Sequence, residues 1–131
     1  MVFKYAGAGI GNAASYLAAG LPYITGSAIT GSEEFRAAFP FVTKRVQVQV
    51  YDGAANDHIR VHFNSVDDGN VNGGQHWWHV KDGDPFEAEV RCSELYITHD
   101  KGASVTFHVL AEMTTIPAED MYVLSGSGLT T

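Results

Sequence analysis

From Phe39 onward, apolar and polar residues alternate with a period of two. Val42, Val46, Val48 and Val50 alternate with Arg45, Gln47 and Gln49. Ile59, Val61 and Phe63 alternate with His58, Arg60 and His62. Residues 75–80, reading Gln-His-Trp-Trp-His-Val, form a third run. Phe86, Ala88 and Val90 alternate with Glu87, Glu89 and Arg91, and Leu95 and Ile97 follow. The last long run sets Val105, Phe107, Val109, Ala111 and Met113 against Thr106, His108 and Glu112. Successive side chains of a strand point to opposite faces, so each run predicts a strand with one buried and one wet face.

Turn chemistry punctuates the runs. Asp52-Gly53, the Gly- and Asn-rich stretch 67–74, Asp82-Gly83-Asp84-Pro85 and Asp100-Lys101-Gly102 all read as turns or loops. Pro117 stops the final run, and Met121 to Leu124 are expected to add a short strand. No long helical pattern separates the strands. Half-wet alternation at hairpin spacing predicts antiparallel sheets packed face to face, an all-β, jelly-roll-like β-sandwich.

Residues 1–38 read differently. They are rich in Gly, Ala and Ser, and two short helical turns are expected, at Asn12 to Ala19 and at Ser32 to Ala38, the second with Ser32 as cap. Met1 to Gly20 is too interrupted by glycines to be a signal peptide and is read as mature sequence. The expected organisation is an extended arm, 1–38, followed by a sandwich domain, 39–131, with a short C-terminal tail.

Charge sharpens that division. All fifteen acids fall between Glu33 and Asp120. Lys4 is the one charge before Glu33, and none follows Asp120. The uncharged ends also echo each other: residues 24–30 read Ile-Thr-Gly-Ser-Ala-Ile-Thr, and 124–130 read Leu-Ser-Gly-Ser-Gly-Leu-Thr. Uncharged, weakly apolar segments need a surface to lie against. Ile24, Thr25, Gly26, Ile29, Leu124, Gly126 and Leu129 are therefore candidate partner-binding residues. The alternative is that these segments pair with each other or with the body as edge strands.

The net charge of −7 argues against nucleic acid, which is bound through clustered Lys and Arg, and against an anionic membrane surface. No stretch approaches the roughly 20 apolar residues of a membrane span. Cys92 is the single cysteine, which excludes an internal disulfide and predicts an inert buried thiol.

Catalytic patterns are poorly formed. His58 and His62 share a strand face but lie about 13 Å apart, too far to hold one metal ion. A site assembled across strands from His58, His62, His76 or His108 is the remaining metal option. Glu87 and Glu89 share a face about 7 Å apart, a spacing that suits glycoside chemistry and also simple solubility. Gly126-Ser127-Gly128 lies in a tail that cannot hold a nucleophile. No cofactor and no enzymatic activity are expected. Trp77-Trp78 is the most pointed local signal. One ring should face in and the other out, the outer one serving partner contact, loop cover or a sugar platform.

Four segments together carry a family resemblance: Pro22-Tyr23-Ile24-Thr25-Gly26-Ser27, Phe39-Pro40-Phe41-Val42-Thr43-Lys44-Arg45, Ile59-Arg60-Val61-His62-Phe63 and Leu124-Ser125-Gly126-Ser127-Gly128-Leu129-Thr130. In that order the chain resembles the small virion structural proteins of tailed phages, cyanophage-like ones especially. The resemblance implies a capsid decoration or cement protein, made in the host cytoplasm and carried on the virion surface. It implies a β-sandwich, often a trimer, that clamps junctions of the major capsid protein and carries no catalytic residues. A tail or fibre component would share the same pattern, and a carbohydrate-binding module is the alternative from another class.

Overall fold

The computed structural model describes residues 20–30, 33–52, 58–65, 76–81, 83–99, 104–124 and 129. The expected turn at 12–19, the loop at 67–74, the turn at 100–102 and the Gly-Ser-Gly of 126–128 lie outside the described residues. The strands are β1 (Leu21–Ile29), β2 (Glu34–Ala38), β3 (Phe41–Asp52), β4 (His58–His62), β5 (Trp78–Lys81), β6 (Phe86–Ala88), β7 (Glu94–Thr98) and β8 (Val105–Pro117). A short 3₁₀ turn, Ala118–Asp120, follows β8.

Two antiparallel four-stranded sheets form, in the orders β1-β8-β3-β6 (sheet I) and β2-β7-β4-β5 (sheet II). The pairs β1–β8, β2–β7, β3–β6 and β4–β5 are those of one long hairpin wound around a barrel axis. That is jelly-roll topology, as the alternation predicted.

The inward positions of the alternating runs meet between the sheets. Val46, Val48, Ile59, Leu95, Ile97 and Phe107 are fully buried there. Phe107 of sheet I meets Phe35 of sheet II edge to face, with ring centroids 5.1 Å apart. Burying each such side chain contributes about 1.5–3 kcal/mol.

Register shifts interrupt the β3–β8 ladder at Phe41/Thr43 and Thr43/Arg45. Two buried threonines near these shifts bond backbone groups, Thr43 those of the β6–β7 connection and Thr114 those of β3 and β8. The Thr43 hydroxyl donates to Val90 O at 2.8 Å and accepts the Cys92 N–H at 3.1 Å. The Thr114 hydroxyl donates to Val42 O at 2.8 Å and accepts the Ile116 N–H at 3.2 Å. Burial pushes the Cys92 thiol up to about 11.

Three expectations are corrected. Leu21–Ile29 and Glu34–Ala38 are not part of an arm, because they are β1 and β2 of the sandwich. The predicted helical turn ending at Ala38 is strand β2. There Phe35 and Ala37 point inward, Arg36 pairs outward with Glu94 at 2.6 Å, and pairing with β7 outweighs a marginal capping signal. Residues 121–124 form no strand; Met121 N–H closes the 3₁₀ turn on Ala118 O. The Gly83 turn behaves as expected, with φ of 89° and Asp84 N–H donating to Lys81 O at 3.1 Å.

Candidate functional site

Strand β1 is an edge of sheet I, bonded to β8 on one side. Its odd residues from Tyr23 to Ile29 point into the sandwich and its even residues point out. Ile29 is 1% exposed and belongs to the core, so it is no anchor for a partner. The reason is parity: Ile24 and Ile29, five apart, must face opposite ways. Thr25 also points inward, which leaves its backbone as its contribution to an edge contact.

The outward residues are Pro22, Ile24, Gly26 and Ala28. Ile24 is 72% exposed. Opposite it in register is Leu110, an apolar residue on the wet face of β8. Ile24, Leu110, Gln47, Gln49 and His108 surround a shallow depression of about 210 Å³. Gly26 lies under the His108 ring. A Cβ on Gly26 would sit 2.4 Å from His108 Cδ2 and 2.7 Å from Phe107 O. Only glycine permits that approach. The ionised groups of this face lie toward the start of β1, where Glu112 stands opposite Pro22 and Arg45 pairs with Glu87 and, at 3.6 Å, with Glu112.

The other described edges are guarded. Strand β2 carries Glu34 and Arg36, β5 carries Lys81, and β6 is three residues long with Glu87. Charged side chains and brevity are how edges resist strand addition. β1 has nine residues, no charge and a single proline near its start.

Of the C-terminal echo, Leu124 and Leu129 are described, and neither pairs with β1. Leu124 packs against the core cluster. The Leu129 carbonyl lies 3.4 Å from Asn64 Nδ2 and from His76 Nδ1, at the end of β4. Gly126 lies outside the described residues. The N-terminal echo segment therefore pairs with its own body, and Leu129 lies against another part of it.

Trp77 and Trp78 sit at the β5 edge of sheet II. Trp77 is half-buried, with the Arg60 guanidinium 4.2 Å from its ring centroid. Trp78 is 65% exposed. Together with Val61, His62, Phe63, His76 and Phe86 they line an open slot of about 320 Å³. His62 is a structural wall of it. Its Nδ1–H donates to Asn64 O at 2.6 Å and its Nε2 accepts from Thr98 Oγ1 at 3.1 Å. Burial, its largest influence, pulls its pKa down, so it is neutral.

Among the described residues, no three His, Cys, Asp or Glu side chains converge as a metal ion requires. His58 and His79 touch across β4 and β5, centroids 4.0 Å apart, while His108 lies on the other sheet. No described helix is long and apolar enough to cross a membrane.

Sequence reasoning missed Leu110 and the Arg60–Trp77 stack, and it named His108 as a metal option and not as a neighbour of Gly26. Leu110 was detectable as an apolar residue in the wet register of β8. The stack follows from strand pairing that the sequence does not reveal.

The fold defines a jelly-roll β-sandwich, and the described surface defines one unguarded edge. No protein-family model matches the chain, and no curated protein sequence matches it. Among solved structures, the crystal structure of the Yersinia pseudotuberculosis-derived mitogen is similar, with a TM-score of 0.46 and 13% sequence identity. That match covers 82% of this chain and 97% of the other.

Proposed function

We propose that the protein is a non-enzymatic structural component of a virion, a decoration protein that binds the major capsid protein of a tailed phage and stabilises the shell. The observation that carries this reading is the uncharged, nine-residue open edge of β1, with Ile24 72% exposed beside it. Such an edge offers a row of backbone donors and acceptors to an extended partner segment. Gly26 and Ala28 let that segment approach closely, and Ile24 and Leu110 give it an apolar seat. The acidic remainder keeps free copies apart in solution. Several copies on one shell, or several edges on one oligomer, multiply modest single contacts through effective concentration. Jelly rolls serve in capsids and in lectins alike, so the fold permits this role without selecting it.

The test is co-sedimentation with shells of the major capsid protein that lack decoration. Wild-type protein should pellet with the shells. Ile24→Lys, which places a charge on an exposed position and spares the core, should stay in the supernatant. Full binding by Ile24→Lys would refute β1 as the docking edge.

A further inference from the structure

The slot at the β5 edge presents a second kind of surface. Val80, on the same side of β5, is 1% exposed, yet Trp78 is 65% exposed. Among the described residues its indole makes no hydrogen bond, ion pair or ring contact. A large aromatic left bare beside a concavity is apolar surface awaiting cover. The slot, about 320 Å³, falls at the lower end of small-ligand sites.

Its chemistry is two-sided. Val61, Phe63, Phe86 and the two indoles make an apolar floor. The rim is polar. His76 Nδ1 lies 3.4 Å from the Leu129 carbonyl and donates to it, so in the neutral ring Nε2 is the free acceptor. The indole N–H groups of Trp77 and Trp78 are donors. Arg60 over one face of Trp77 holds that ring in place.

An apolar floor with a donor and acceptor rim fits a ligand that has one C–H face and hydroxyl edges. We propose that this slot binds a pyranose ring of a glycan. Trp78 stacks on the C–H face of the sugar, and His76 Nε2 with the indole N–H groups takes hydroxyls at its edge. A purely aliphatic ligand would leave the rim unpaired. A nucleotide would bring phosphate to a chain of net charge −7. An extended peptide would need more edge than the four residues of β5, which also carries Lys81. The slot lies between β5 of sheet II and β6, the edge of sheet I opposite β1, so this site and the docking edge stand or fall separately.

The test is titration of the full-length protein with maltohexaose, cellohexaose, laminarihexaose and chitohexaose, read by tryptophan fluorescence and calorimetry. At least one sugar should bind saturably with Kd on the order of 0.1–1 mM. Trp78→Ala should weaken that sugar about tenfold or more, and Trp78→Phe should keep part of the affinity. Ile24→Lys should bind sugar as wild type does. Failure of all four sugars to bind overturns the proposal, and so does undiminished binding by a folded Trp78→Ala.

Discussion

The contact between Gly26 and His108 makes a quantitative prediction for Gly26→Ala. A methyl group there would lie 2.4 Å from His108 Cδ2 and 2.7 Å from Phe107 O. The ring can rotate away, but the carbonyl belongs to the β1–β8 ladder and cannot move without displacing β1. Overpacking of this kind costs about 1–3 kcal/mol. Replacing glycine restricts the unfolded chain and returns about 0.4–1 kcal/mol. The net expectation is a loss of about 1–2 kcal/mol, or roughly 4–8 °C in Tm for a domain of this size. Urea denaturation should show a lower midpoint at constant slope. His108→Ala alone should cost little, because the side chain is exposed. In the double variant the ring clash is gone and the carbonyl clash stays, so about 0.5–1 kcal/mol should be recovered. An unchanged midpoint for Gly26→Ala would refute the close-approach argument. Strict additivity in the double variant would show that the ring is no obstacle.

Other predictions follow from the core and the buried polar groups. Phe107→Ala removes a fully buried ring that joins the sheets and should cost about 3–5 kcal/mol in the same denaturation assay. Thr43→Val strands Val90 O and the Cys92 N–H, and should cost about 1–3 kcal/mol despite its conserved shape. Cys92, fully buried with its thiol pushed up to about 11, should resist a thiol reagent in the native protein and react once in urea; rapid native labelling would contradict this. His62 is held below the ordinary histidine pKa of about 6.5, so the unfolded chain binds the extra proton. Its contribution is present above that pH and is lost as pH falls from about 6.5 through the folded value. NMR titration of its ring should give a midpoint below 6.5, and a midpoint at or above that value would count against the buried neutral form.

Strand positions from Phe39 onward were legible because alternation carries the information directly. Val46, Val48, Phe107 and Val109 face the core by parity alone. The jelly-roll-like sandwich followed from strand number and half-wet faces, while the strand pairing itself was not legible. β1 was harder to read. Its inward residues are Tyr23, Thr25 and Ser27, too polar to mark a buried face, and its outward Ile24 inverts the expected pattern. Composition favoured an arm, while the structure uses β1 to complete sheet I. The Trp77–Trp78 pair was visible as a signal. Its slot was not, because Phe63 and Phe86 reach it from separate segments and Arg60 reaches Trp77 through a strand pairing.

Edge lengths constrain how copies of the chain can meet. The described edges have nine residues in β1, five in β2, four in β5 and three in β6. Only a second β1 can match the whole of β1. That contact places the same strand on both partners, which makes it two-fold and closes as a dimer. A trimer requires two different surfaces to meet head to tail, and no other described edge is long enough to satisfy β1 in that arrangement. If the protein is a trimer, its subunit contacts therefore lie away from the β1 edge, and β1 stays open for the shell. The mass of Ile24→Lys in solution separates the two cases. A trimer that keeps its mass and loses shell binding is the outcome expected for a decoration protein. A wild-type dimer that Ile24→Lys dissolves would assign β1 to self-association and would overturn the docking role proposed for it.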